Sequence, residues 1–241
     1  MQIPRIYSQT PLEPASTTQL DEGAQRHVVQ VLRLKQGATI TLFDGSGVEY
    51  PATIEQIERK RVTVSLQSAT PNNIESPLAI HLYQGISKGE RMDYAIQKAT
   101  ELGVTEITPI FCERSVVKLD EKRLQKKQSH WQGIAISACE QCGRNQVPPV
   151  HPAVSLQQLS PLSDVQGLLL NPYTTQRLDQ FPPPQHPLSI LIGPEGGLSD
   201  GEIERAEKQG WQSIQLGPRI LRTETATVVA LTALQLQWGD L

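Results

Sequence analysis

The residues of this chain best placed to do chemistry are glycines at the ends of apolar strands. In LSILIGPEGGLSDGEIE, residues 188–204, an apolar strand runs straight into Gly193-Pro194-Glu195-Gly196-Gly197. A helix follows, with Ser199 as its candidate N-cap. Glycine lets a ligand approach the main chain closely, and ligands of open α/β sheets bind beyond the carboxyl ends of the strands. From residue 212, QSIQLGPRILRTETATVVALTALQLQW repeats the logic: strand, Gly217-Pro218, an apolar-basic loop, then a Thr-rich helix start. Two such loops meeting in space would offer amides and carbonyls to an uncharged heterocycle such as adenine. The plainer reading of either loop alone is a tight strand-to-helix turn. No Gly-x-Gly-x-x-Gly fingerprint and no Gly-Lys-Ser/Thr of a P-loop is present. Cys139-x-x-Cys142 lies in a helical pattern without a second pair, and Cys112, His130 and His151 show no ligand spacing. No metal site is expected.

These loops need a parallel sheet to hold them, and the sequence after residue 72 has its grammar. LAIHLYQGI, EITPIF, QGLLLN, LSILIG and QSIQLG read as apolar strands. Between and after them, Glu90–Leu102, Asp120 to about Cys142, Asp200–Gln209 and Thr223–Trp238 read as helices. Strands alternating with helices imply a parallel sheet covered on both faces. The stretch 177–187, RLDQFPPPQHP, reads as connecting loop.

The first seventy residues differ. IPRIY, ATITLF, VEYPATIEQI and RVTVSLQ are short and alternating, with Asp44-Gly45-Ser46-Gly47 as a turn and Pro51 suggesting an edge or bulge. One helical pattern interrupts them, with Val28, Val31 and Leu32 as an apolar face and Gly37 as its stop. A small, mostly antiparallel barrel with one helix is the packing this predicts. SATPNNIESP, residues 68–77, then reads as a linker. The expected domains are 1–72 and 73–241.

Composition narrows the function classes. With 22 basic and 25 acidic residues the net charge is −3, which excludes a coat of positive charge but not a local basic patch. Aromatics at 5% argue against extended base-stacking platforms. No apolar run approaches the roughly 20 residues of a membrane span, and the first ten residues lack the apolar core of a secretory signal. Three cysteines argue against a disulfide framework. A reducing compartment, most simply the cytoplasm, is expected.

GPEGG followed by LGPRILRTETA resembles the SPOUT class of RNA methyltransferases. More closely, the chain resembles the bacterial 16S ribosomal RNA (uracil-N3)-methyltransferase family. The similarity includes IPRIY, RMDYAIQKATELGV, ITPIFCERSVVK and ACEQCGRNQVPPV, and so runs through nearly the whole chain. The resemblance implies a PUA-like RNA-binding β-barrel in front of a knotted α/β methyltransferase domain, a homodimer, and S-adenosylmethionine as cofactor. Carried over by motif, the cofactor would meet Leu170, Ile192, Gly193, Gly197, Leu216, Gly217, Leu221, Arg222 and Thr223. The reaction implied is methylation of N3 of a uridine in the decoding region of 16S rRNA, on the small ribosomal subunit.

That reaction must remove the N3 proton or stabilise the anion left behind. Arg222 and Glu224, flanking Thr223, are one candidate pair, though an ion pair near a helix start would look the same. Glu140 and Arg144 in CEQCGR are the rival pair, and the sequence does not choose between them. Arg5, Lys88, Arg91, Arg114 and Lys118 are candidate phosphate contacts. The region 85–150 carries 10 basic and 8 acidic residues, too small an excess to mark an RNA face by itself. In helix Thr223–Trp238, Val228, Val229, Leu231, Leu234 and Leu236 suit either a dimer face or a core. Two other readings stand beside this one: a non-catalytic RNA-binding assembly factor, and a SPOUT enzyme modifying another RNA position, such as a ribose 2′-O on transfer RNA.

Overall fold

The computed structural model describes residues 3–59, 61–72, 74–115, 121–159, 162 and 165–241. The chain forms two compact units: 1–75 together with 139–147, and 76–138 together with 148–241. The first unit is therefore discontinuous in sequence. Its second segment begins within a long helix.

In the first unit the strands are β1 (Arg5–Tyr7), β2 (Thr17–Gln19), β3 (Thr39–Phe43), β4 (Val48–Glu58), β5 (Arg61–Leu66) and β6 (Thr70–Pro71). They pair in the order β1-β3-β4-β5-β2, with β6 beside β4. All the pairings are antiparallel except β1 with β3. Alternation does the packing: Val62, Val64 and Leu66 of β5 point inward with Ile40, Leu42, Ala52 and Ile54. Each fully buried aliphatic side chain of this kind contributes roughly 1.5–3 kcal/mol.

Pro51 is not on an edge, because β4 is paired on both sides. Its missing N–H costs nothing at that position. The Pro51 carbonyl accepts from Gln67 N at 2.8 Å, and the Gln67 carbonyl is taken by Ala15 N at 3.2 Å. The bulge lies further on, between Ile54 and Gln56.

The helical pattern of this unit is shorter than its periodicity suggests. Helix α1 (Glu22–Arg26) is capped by Asp21, whose carboxylate accepts from Ala24 N at 3.0 Å. It widens into a π-helical turn, His27–Val31, which buries Val28 but leaves Val31 65% exposed. The turn ends well before Gly37.

The second unit contains β7 (Ile80–Gly85), α2 (Glu90–Glu101), β8 (Glu106–Phe111), α3 (Glu121–Cys142, to Ala138 in this unit), β9 (Val154–Ser155), β10 (Gln166–Leu170), β11 (Leu188–Ile192), α4 (Asp200–Lys208), β12 (Gln212–Ile214) and α5 (Thr223–Trp238). Asp120, the expected start of α3, lies outside the described residues. The sheet is wholly parallel, in the order β12-β10-β11-β7-β8-β9. All five residues of the central strand β11 are buried, as a strand covered on both faces requires. Helix α4 begins with a capping box. The Ser199 Oγ accepts from Glu202 N at 3.2 Å, and the Glu202 carboxylate accepts from Ser199 N at 2.8 Å. Leu231 and Leu234 of α5 are core residues, whereas Val229 and Leu236 are exposed. Among the described residues no helix is long and apolar enough to cross a membrane.

Candidate functional site

Strands β10, β11 and β12 are neighbours in this sheet, so the loops leaving their carboxyl ends converge. Together they wall a cavity of about 190 Å³ that is partly open to solvent. Leu170, Ile192, Gly193, Gly197, Leu216, Gly217, Leu221 and Thr223 all line it. Arg222 does not; it is exposed and stands at the N-cap of α5. The walls are mostly apolar, with Leu198, Ile203 and Ile220 adding to the leucines above.

The loop after β11 keeps its shape through local bonds. Gly197 N donates to Pro194 O at 2.9 Å, closing a turn in which Gly197 has φ +69°. A side chain there would be strained, although a Cβ would meet open space. Gly85, at the end of β7, is a contact that spacing did not reveal. A Cβ on it would collide with the main chain at Pro194 N and Gly193 C, so only glycine lets β7 end against this loop.

Three buried polar side chains support the loop from beneath. Thr227 Oγ1 donates to Gln84 Oε1 at 2.6 Å, Gln84 Nε2 donates to Thr223 Oγ1 at 3.0 Å, and Thr223 Oγ1 donates to Gly193 O at 2.8 Å. Gln84 and Thr227 carry no motif: the register of β7 against β11 reveals Gln84, and α5 brings Thr227 to it.

A charged group stands at the rim. Arg91 NH1 is 3.1 Å from Glu195 Oε1, and Arg91 Nε is 3.9 Å from Glu224 Oε1. Glu195 Oε1 also accepts from Lys88 N at 2.8 Å. Burial alone would raise the Glu195 carboxyl, but the Lys88 and Glu195 amides and the Arg91 guanidinium outweigh it and hold it below the usual carboxylate range. The second oxygens, Glu195 Oε2 and Glu224 Oε2, are buried and accept no hydrogen bond among the described residues. Arg114 lines the cavity and donates to Leu198 O at 3.1 Å and Gly196 O at 3.4 Å. It braces the glycine loop, rather than reaching outward as its place after a strand suggests. Lys118 lies outside the described residues.

The rival pair serves the first unit. Glu140 accepts from Tyr7 N at 3.1 Å and faces His27 Nδ1 at 3.2 Å. Arg144 is 4% exposed and bonds Glu75 Oε2 through Nε at 2.8 Å and NH2 at 2.7 Å. Arg5 pairs with Glu49 at 2.6 Å and also bonds Asn145, which leaves its guanidinium engaged within that unit rather than presented to phosphate. None of Arg5, Glu140 and Arg144 lines the cavity. Cys139 and Cys112 are both buried, and burial pushes each thiol up to about 12. Both are therefore inert near neutral pH.

The parallel sheet with a ligand cavity at its strand ends and the small β-rich unit are each matched by a family model. The RNA methyltransferase domain matches residues 74–235 and the RNA methyltransferase PUA domain matches residues 20–67. The class is that of RNA methyltransferases carrying a PUA domain. The chain is 37% identical to ribosomal RNA small subunit methyltransferase E of Buchnera aphidicola (subspecies Schizaphis graminum), over 99% of this chain and 98% of the relative. It belongs to the ribosomal RNA small subunit methyltransferase E family. A solved methyltransferase from Legionella pneumophila, in complex with SAM, is 43% identical with a TM-score of 0.94 over 100% of both chains. Ribosomal RNA small subunit methyltransferase E of Neisseria gonorrhoeae, bound to S-adenosyl methionine, is 39% identical with a TM-score of 0.91 over 99% of both chains.

Proposed function

We propose that this protein methylates N3 of a uridine in the decoding region of 16S rRNA, using S-adenosylmethionine and acting on the small ribosomal subunit. Family membership supports the reaction class. The observation that carries the site is that eight motif-derived residues line one cavity whose rim holds a buried, unpaired carboxylate oxygen.

The cavity suits that cofactor. Its apolar walls and loop amides match an adenosine, and the anionic Glu195 beside them suits a ligand carrying positive charge. When bound, S-adenosylmethionine supplies a methyl group already activated by its sulfonium, so the protein's task is alignment. A uracil N3 carries a proton and must lose it. Glu224 Oε2, which has no donor of its own, accepts that proton as the N3–methyl bond forms and the carbon–sulfur bond breaks. The N-terminal amides of α5 and the exposed Arg222 lie at the same helix end and favour the developing negative charge on the uracil oxygens. Lys88, Arg91 and the PUA-type unit hold the RNA, with phosphate contacts placing it and the extruded base specifying it.

The reading includes the knotted connection and the homodimer that the resemblance implies, with exposed Val229 and Leu236 of α5 as part of the dimer face, and a cytoplasmic location. The test is methyl transfer to under-methylated small subunits, with nucleoside mass spectrometry of the product. Naked 16S rRNA and transfer RNA are run in parallel. Appearance of 3-methyluridine on the subunits is the expected result. Cofactor binding with a different methylated nucleoside would move the assignment to another RNA position. Absence of both product and cofactor binding would favour an RNA-binding assembly factor.

A further inference from the structure

The same sheet gathers a second set of ligating side chains at the opposite ends of its strands. His81, the second residue of β7, and Glu106, the first of β8, are register partners. His151 follows Val150, which bridges in parallel to Ile107. Three neighbouring chains thus bring two imidazoles and a carboxylate together, with ligand atoms all within 4.8 Å of one another. Glu106 Oε2 lies 2.8 Å from His151 Nε2 and 3.7 Å from His81 Nδ1. The side chains of His81, Glu106 and His151 are 21%, 47% and 38% exposed, so an ion can reach them from solvent.

One contact distinguishes this group from an ordinary His–Glu pair. The far nitrogen of His81, Nε2, is 2.8 Å from Thr108 Oγ1, two residues along β8 on the same face. An Nε2–H donated there leaves the Nδ1 lone pair turned toward Glu106 and His151. Metal-ligating histidines are held in this manner by a partner on the other ring nitrogen. A simple ion pair needs neither the second imidazole nor that anchor.

We propose that His81, Glu106 and His151 bind a divalent transition-metal ion of the zinc type, with Thr108 as the outer partner of His81. Two imidazole nitrogens and one carboxylate oxygen form a donor set suited to Zn²⁺. Bonds of ~2.0–2.2 Å to a tetrahedral ion would set the donors about 3.3–3.6 Å apart, between the two separations the group now shows. The half-exposed Glu106 and His151 side chains can rotate to reach these separations while β7 and β8 stay fixed in the sheet. Three protein ligands leave the fourth position to water. The ion would clamp the amino ends of β7 and β8 and the segment after Val150, away from the cavity at the carboxyl ends.

The test uses the untagged, metal-stripped full chain. Zn²⁺ is titrated by calorimetry, and Co²⁺ by its visible absorption. One equivalent per chain is expected, with a raised Tm and a tetrahedral cobalt spectrum. His151→Ala and Glu106→Gln should each abolish that binding. Thr108→Val should weaken it by about 10–100-fold, the usual effect of losing an outer partner, while the metal-free chain stays folded with a Tm lower by no more than roughly 2–10 °C. Failure of the folded wild-type chain to bind Zn²⁺ saturably would overturn the proposal. So would stoichiometric binding that none of the three substitutions alters, since the ion would then lie elsewhere.

Discussion

The hydroxyl of Thr223 donates to the main-chain carbonyl of Gly193 at 2.8 Å, tying the first turn of α5 to the glycine that ends β11. One bond thereby joins the two loops that wall the cavity, and Gln84 completes it from below. Thr223→Val keeps the shape of the side chain and removes the donor. It leaves the Gly193 carbonyl and the Gln84 amide without their partner, at a cost of about 1–3 kcal/mol. Thermal denaturation should show Tm lower by roughly 2–10 °C, and calorimetry should show weaker S-adenosylmethionine binding. Thr223→Ser should restore both. Unchanged cofactor affinity in the valine variant would separate this bond from the pocket.

Gly85 tests the same wall by steric means. In Gly85→Ala the added methyl meets main-chain atoms of Gly193 and Pro194, which have no flexible end to yield. The glycine loop must move, and cofactor affinity should fall at least tenfold, a loss of about 1.4 kcal/mol. Gly201→Ala, whose Cβ meets nothing within 4 Å, is the matched control and should bind normally.

Glu224→Gln removes the proposed proton acceptor and retains the side-chain size. With saturating subunits, kcat should drop by about 10²–10⁴-fold while cofactor affinity stays within a factor of about two. An activity loss accompanied by an equal loss of cofactor binding would assign Glu224 to the pocket wall instead of the chemistry.

Arg114→Ala should weaken S-adenosylmethionine binding, because the guanidinium holds the carbonyls of Gly196 and Leu198. Filter binding to the small subunit, measured without cofactor, should change little. The reverse pattern would return Arg114 to the phosphate-contact role expected from its place after a strand.

His27 makes the first unit pH-sensitive. Its hydrogen bond to Glu140 outweighs the effect of burial and raises the imidazole pKa above its ordinary value. A raised folded-state pKa means stability that is fully present below the unfolded value near 6.5 and lost as pH rises through the folded value. Glu140→Gln keeps an oxygen for Tyr7 N and removes the charge. Thermal melts from about pH 5.5 to 8.5 should therefore show a wild-type advantage that is largest at the acid end and shrinks toward the alkaline end. A gap independent of pH would refute the coupling.

Much of this architecture is written locally. Helix α5 can be read to the residue because Thr223 and Trp238 bound an apolar run without a breaker, and Ser199 announces α4 through its capping box. The glycine loops are legible because glycine, proline and a preceding apolar strand leave the backbone few alternatives. What escapes is set by pairing between distant segments. Gln84 becomes a support residue only because β7 lies beside β11, and His81, Glu106 and His151 meet only through strand register. No spacing rule connects them. Pro51 misleads for a related reason: the donor it lacks is one that Gln67 does not need.

The discontinuity of the first unit has a consequence for the order in which the chain is made. Glu140, Arg144 and Asn145, which bond Tyr7, His27, Glu75 and Arg5, are added some seventy residues after Glu75. At a synthesis rate of ~5–20 residues per second, that interval is roughly 4–14 s. Over it, the β-rich unit has emerged with four of its polar side chains or amides still lacking their final partners. A ribosome pausing between Glu75 and Val147 would hold the nascent chain in that state, open to proteolysis and chaperones, until the last turn of α3 and the residues just after it arrive.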